Sequence, residues 1–230
     1  MKKTVIFLMI FVVMQVIVVF AQDCVSYIPM KQGAIWETQS FDAKNKLTST
    51  AKSVVKEKTV TGNTIKLVIE SETFDSKGKT LGKNSYSAGC DNGAYYLDMR
   101  GNIDQNGMSN FKDMQVTITA DNLDFPSNPQ PGQTLKPGKF TMDAVMPGMP
   151  GGFKMTVDVY NRKVDALESV TTPAGTFNCV KISYEMKTFM MMEILTKGVE
   201  WYSKDVGLVK SESYDTKGKL ISSSLLSVFK

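Results

Sequence analysis

The 230-residue chain contains no histidine at all. Without an imidazole there is no Ser-His-Asp or Cys-His nucleophile pair, no histidine metal ligand and no ordinary proton shuttle near neutral pH. Paired carboxylates are the one common hydrolase chemistry that needs nothing else, and the glutamates of the sequence form no distinctive pair. We therefore predict a protein that is not an enzyme and that carries no cofactor or metal.

An excess of charge of either sign is also lacking. The chain has 27 Lys and Arg against 23 Asp and Glu, a formal net charge of +4. Loss of Lys2 and Lys3 with the N-terminal segment lowers this charge from +4 to +2. Because so small a charge does not attract a polyanion, we expect no nucleic-acid partner.

A long hydrophobic run occurs once, at residues 5–20, where it follows two lysines and precedes Ala21. A basic start, an apolar core and a small residue at the cleavage point are typical of a secretory signal peptide. The run is shorter than the roughly 20 residues of a comfortable membrane span, although an uncleaved anchor is the alternative. We predict a signal helix at 1–21 and export of residues 22–230 to the periplasm or the extracellular space.

Cysteine is scarce, with three residues at Cys24, Cys90 and Cys179. In an oxidising compartment this number is consistent with one disulfide and one buried thiol, and the sequence leaves the pairing open among all three. Lipid attachment to Cys24 is disfavoured, because Asp23 stands where lipoprotein signals carry a small residue.

Alternation of apolar and polar residues runs through the chain, and no stretch shows a sustained helical period. One short helix fits residues 101–114, and a connection rich in proline and glycine spans 121–139. We predict one all-β domain over 22–230, with about 11–13 antiparallel strands that form a single barrel or a strongly curved sheet. The clearest alternating segments are 65–70, 114–119, 153–160 and 180–187.

A short pattern occurs three times: an aromatic residue, Asp, two variable residues, Gly or Asn, and Lys. An Asp side chain can bond the backbone ahead of it, and Gly or Asn accepts a left-handed conformation, so the pattern predicts β-hairpin turns. Cation binding is the weaker alternative, because each turn offers one carboxylate beside two lysines. The three carboxylates are Asp42, Asp75 and Asp215.

The chain has 15 methionines, many of them near phenylalanines in the second half. Such side chains make a deformable apolar lining if the sheet encloses a cavity, and an apolar small molecule or lipid would fit there. A filled core is the equal alternative, and Cu(I) binding by Met146 and Met149 is a weaker one. The predicted lining consists of Phe140, Met142, Met146, Met149, Phe153, Met155 and Phe189.

Two longer segments, the TTPAGTFNC sequence at 171–179 and the GVEWYSKDVGLVK sequence at 198–210, resemble the TapB-like family of exported bacterial proteins. The resemblance implies a curved antiparallel β protein of the cell envelope and supplies no catalytic residues. We therefore expect an exported, non-catalytic envelope protein that carries or binds an apolar ligand such as lipid. The alternatives are a structural or interaction protein with a filled core and an envelope protein partner, or a carboxylate-dependent hydrolase.

Overall fold

The computed structural model describes residues 25–91, 94–98, 115–145 and 152–230. The signal helix predicted at 1–21 and the short helix predicted at 101–114 lie outside these residues. Within the described ranges no helix is long and apolar enough to cross a membrane. The strands are β1 (Ile35–Asp42), β2 (Leu47–Thr61), β3 (Thr64–Asp75), β4 (Thr80–Asp91), β5 (Ala94–Asp98), β6 (Gln115–Ala120), β7 (Asn122–Phe125), β8 (Gly138–Val145), β9 (Gly152–Thr172), β10 (Gly175–Phe189), β11 (Glu193–Ser203), β12 (Gly207–Tyr214) and β13 (Leu220–Phe229).

All these strands belong to one 13-stranded sheet with the order β6-β8-β9-β10-β11-β12-β13-β1-β2-β3-β4-β5-β7. The all-β class and the upper end of the predicted strand count are confirmed. The closed barrel is wrong, because β6 and β7 are opposite edges of the sheet and do not pair with each other. Only Asp121 separates these two strands. They follow one another along the chain instead of lying side by side, so no ladder closes the sheet.

The sheet nevertheless curves until its two halves share one hydrophobic core. Leu67 and Ile69 of β3 belong to the same buried cluster as Val164 of β9 and Leu226 of β13, and each of the four is fully buried. Side chains alternate along a strand, so buried residues of one strand lie two positions apart, as Leu67 and Ile69 do. A second, smaller cluster is centred on Phe140.

The Pro- and Gly-rich segment predicted as a connection over 121–139 contains β7, a loop and the start of β8. The loop pairs with β9: the Gly132 amide donates to the Val164 carbonyl at 2.7 Å, and the Leu135 amide donates to the Arg162 carbonyl at 2.8 Å. The loop therefore covers the edge of β9 just beyond Val159, which pairs with Gly138 at the start of β8.

The three predicted hairpin turns are confirmed. In the first, Asp42 Oδ1 accepts hydrogen bonds from the Lys44 amide at 2.8 Å and the Lys46 amide at 2.9 Å, and Asp75 and Asp215 repeat this arrangement. The two bonds lower the pKa of Asp42. The left-handed positions are Asn45, Gly78 and Gly218, with φ of 60°, 83° and 82°.

Replacing Gly218 with alanine is expected to lower the free energy of unfolding by about 1 kcal/mol, because a Cβ strains a left-handed backbone. Thermal unfolding followed by circular dichroism measures the effect, about 3 °C for a chain of this size. Asn45→Gly is the matched control and is expected to leave the melting temperature unchanged or slightly raised. An unchanged melting temperature in Gly218→Ala would contradict the strain argument.

Candidate functional site

A pocket of about 360 Å³ is lined by strands from both halves of the sheet. Five aromatic side chains contribute to its walls, which come from strands far apart in sequence. Small-molecule sites in proteins start at about this volume and combine apolar walls with a few polar groups. The aromatic lining consists of Tyr27, Trp36, Tyr86, Tyr95 and Tyr202, and the polar lining includes Thr38, Ser53, Ser71 and Asp98.

The segment that precedes β1 supplies one wall of this pocket. Tyr27 and Ile28 are buried, and the Ile28 amide donates to Ser26 Oγ at 3.1 Å, which holds the segment in a tight bend. The Asp205 amide donates to the Ser26 carbonyl at 2.8 Å, so the bend is fixed to the turn between β11 and β12. Burial raises the pKa of Tyr27 to about 12.

The aromatic rings of the pocket support each other. The ring centroids of Tyr27 and Tyr95 are 6.2 Å apart, edge to face, and Phe125 lies 5.4 Å from each of them. Phe125 also packs edge to face against Tyr202 at 4.8 Å. Aromatic pairs prefer these offset geometries, so the rings form a rigid wall.

A carboxylate behind this wall fixes Tyr202. Glu200 accepts hydrogen bonds from the Tyr184 hydroxyl at 3.0 Å and from the Tyr202 hydroxyl at 2.7 Å. Burial raises the pKa of Glu200, opposed by the two hydroxyls and by the charge of Arg162. Each carboxylate oxygen of Glu200 thus accepts a hydrogen bond from one tyrosine hydroxyl.

Arg162 of β9 lies near Glu200 and is 3% exposed. We call Glu200, Tyr184, Tyr202 and Arg162 the polar centre. Its Nη1 donates to the Lys136 carbonyl at 2.7 Å and its Nη2 to the Asp124 carbonyl at 3.3 Å. The guanidinium carbon lies 5.5 Å from the centre of the Phe125 ring. Arg162 therefore ties β9 to β7 and to the loop before β8.

A larger groove of about 620 Å³ lies along β2, β3 and β4. Its lining includes the exposed ion pairs Lys56–Glu70 at 3.2 Å and Lys83–Glu72 at 3.3 Å. Exposed pairs of this kind are hydrated and contribute little energy. We therefore assign the candidate site to the smaller aromatic pocket.

The structure places the predicted apolar lining away from this pocket. Phe140 and Met142 are buried in the second cluster, and Phe153 and Met155 pack against it. Phe189 is 43% exposed at the end of β10. Met146 and Met149 lie outside the described residues.

Two of the three cysteines lie in the part of the chain that the structure describes, and both are buried. Cys179 is a free, buried thiol, and burial raises its pKa to about 11. Cys90 is also buried, and Cys24 lies outside the described residues. The same ranges contain no group of three or more Cys, Asp or Glu side chains that could hold a metal ion.

Two crystal structures share this fold. A candidate exported protein with a YmcC-like fold from Bacteroides fragilis has 27% sequence identity and a TM-score of 0.73, and the match covers 90% of this chain and all of that one. A candidate lipoprotein from Parabacteroides distasonis has 25% identity and a TM-score of 0.74, with 91% of this chain and all of that one covered.

A comparison with curated proteins gives no match. The family model that matches extends from residue 31, before β1, to residue 226 in β13, and it does not bear out the TapB-like name. Over this range, which includes most of the pocket, the chain belongs to the DUF3108-like family.

Proposed function

We propose that this is an exported, non-catalytic binding protein of the cell envelope whose aromatic pocket holds one small amphipathic molecule. The pocket of about 360 Å³ is the observation that carries the proposal. Export is supported by the signal-like N-terminus and by the similarity to a candidate exported protein and a candidate lipoprotein.

The lining indicates the chemistry of the ligand. Four tyrosine rings and Trp36 offer flat apolar surface, which favours a lipid-like or aromatic body. Ser53, Ser71 and Asp98 add polar groups to the lining, which favours a ligand that also carries a polar group. The volume is at the lower end of the range for small-molecule sites, so it suits a short chain or a ring and not a whole phospholipid.

The absence of catalysis is part of the proposal. It is supported by the engagement of Glu200 by two tyrosines, by the use of Arg162 to bond backbone carbonyls, and by the raised pKa of Cys179. The disulfide expected from the sequence is proposed between Cys24 and Cys90, because Cys179 is the free thiol.

A structural or interaction protein with a filled interior is the second candidate. It is favoured by the close packing around the pocket, where Leu67, Ile69 and Leu226 are fully buried. In this case the pocket would hold only water.

Ala51→Phe separates the two candidates, because Ala51 lines the pocket and is only partly buried. A phenyl group there occupies ligand space without removing a hydrogen bond. We expect affinity for the apolar probe N-phenylnaphthylamine, measured by fluorescence titration, to fall roughly tenfold, a loss of about 1.4 kcal/mol. Native mass spectrometry of the wild-type protein purified from its own envelope is expected to show a bound small molecule.

Ala166→Phe on β9 is the matched control, since Ala166 does not line the pocket, and it should bind the probe as the wild type does. Equal binding by wild type and Ala51→Phe would reject the pocket as the site. A wild-type protein that binds no probe and carries no molecule would favour the filled interior.

A further inference from the structure

The hairpin between β10 and β11 exposes a run of apolar side chains that no part of the described core covers. We call residues Phe189–Leu195 the Met tip. Ile194 and Leu195 are 50% and 40% exposed although neighbouring residues of a strand point to opposite faces. Both faces of the hairpin therefore meet solvent. The other exposed apolar residues of the Met tip are Phe189, Met190, Met191 and Met192, at 43%, 45%, 91% and 69%.

The pairing of the strands explains this exposure. The last residue of β12, Tyr214, pairs with Lys197 of β11, so residues 193–196 extend past the end of β12. On the other side Phe189 pairs with Thr156 of β9. The Met tip thus has a neighbouring strand on one side only, and it forms a projection instead of a groove or a flat face.

The one charged residue of the Met tip is paired with a lysine just outside it. Glu193 is its one acidic residue, and its carboxylate lies 2.7 Å from the ammonium group of Lys187. Pairing reduces the cost of moving this carboxylate into a less polar environment. The long side chains of Lys187 and Lys197 can keep their charges in water while their methylene groups lie against apolar surface.

The size and shape of the Met tip distinguish between a protein partner and a lipid surface. A stable interface between two proteins buries about 800 Å² on each partner and matches it in shape. Seven residues at a convex hairpin end fall short of that area. A lipid surface requires no matching shape, and three unbranched methionines adapt well to disordered acyl chains.

We propose that the Met tip inserts into the interfacial layer of a lipid bilayer and holds the protein reversibly at a membrane surface. The proposal goes beyond ligand binding in the pocket. It shares with the proposed function only the location in the cell envelope, so either can fail without the other.

Vesicle flotation tests the proposal with the variant Met190→Ser, Met191→Ser and Met192→Ser. The probe is a vesicle of equal parts phosphatidylcholine and phosphatidylglycerol. We expect the wild type to float with these vesicles, also in high salt because the contact is apolar, and the triple variant to partition at least roughly tenfold less. Because the substituted side chains are exposed, the melting temperature should stay unchanged.

The matched control is Leu167→Ser with Ile221→Ser, which removes exposed apolar side chains, 55% and 43% exposed, outside the Met tip. It should float like the wild type, and so should Ala51→Phe. In Met191→Trp the new indole should shift its emission to shorter wavelength on vesicle addition, since Trp36 and Trp201 are buried.

Three results would overturn the proposal. The first is a wild-type protein that stays at the bottom of the gradient, and the second is a triple variant that floats as well as the wild type. The third is a wild-type dimer in analytical ultracentrifugation that the triple variant converts to a monomer, because the Met tip would then be an interface between two copies.

Discussion

Replacing Glu200 with alanine is expected to lower the free energy of unfolding by roughly 3 kcal/mol, because two buried hydroxyls lose their acceptor and the nearby Arg162 loses a compensating charge. This corresponds to a fall of roughly 10 °C in the melting temperature. Thermal and urea unfolding followed by circular dichroism measure it. The affinity of the pocket for N-phenylnaphthylamine should fall as well, since Tyr202 is then free to move.

Glu70→Ala is the control for this experiment. It removes a carboxylate from an exposed ion pair with Lys56, and we expect a change below about 0.5 kcal/mol. If Glu200→Ala were no more destabilising than Glu70→Ala, the polar centre would not stabilise the fold.

The pH dependence of Glu200→Gln tests the same centre. Burial raises the pKa of Glu200 in the folded state, so its contribution to stability is fully present below the pKa of the unfolded chain and is lost as pH rises through the folded pKa. Glutamine does not ionise. The melting temperature of the variant relative to the wild type should therefore rise as the pH increases above about 4, and a constant difference would contradict the raised pKa.

Replacing Gly89 with alanine is expected to have an effect of similar size, at least about 3 kcal/mol. A Cβ at this position would collide with the Ile65 carbonyl oxygen of β3 and lie 3.0 Å from the Tyr96 hydroxyl. The Ile65 carbonyl oxygen belongs to the backbone of β3, and the paired residues on either side of it hold β3 and β4 in register. Neither strand can move away without breaking its hydrogen bonds.

The yield of soluble protein and the melting temperature measure this effect. Gly218→Ala is the comparison, because a Cβ there meets nothing within 4 Å and only the backbone strain remains. A Gly89→Ala protein that is as stable as Gly218→Ala would show that β3 and β4 can separate at this point.

Local chemistry made much of this fold predictable from sequence. The strands follow from alternation, as at Leu67 and Ile69, and the turns follow from an aspartate that bonds backbone amides two and four residues ahead. Both patterns extend over only a few residues, so they can be recognised without knowledge of the tertiary structure.

The pocket could not be predicted in this way. Tyr27, Tyr95 and Tyr202 meet only because the sheet curves, and no local pattern encodes that meeting. Alternation shows that Met142 points inward, but it does not distinguish a filled cluster from a cavity wall. The sequence gives no sign that Arg162 is buried, since its hydrogen-bond partners are carbonyl groups of residues 26 and 38 positions away.

The position of β13 in the sheet order has a consequence for folding. It is the seventh of the 13 strands, with six on either side, and it pairs with β1, where the Lys230 amide donates to the Ile35 carbonyl at 2.9 Å. β13 is therefore the strand that joins the two halves of the sheet. Until β13 pairs with β1, one side of β1 is unpaired, so the complete sheet depends on a contact between strands far apart in sequence, and contacts of this kind form slowly.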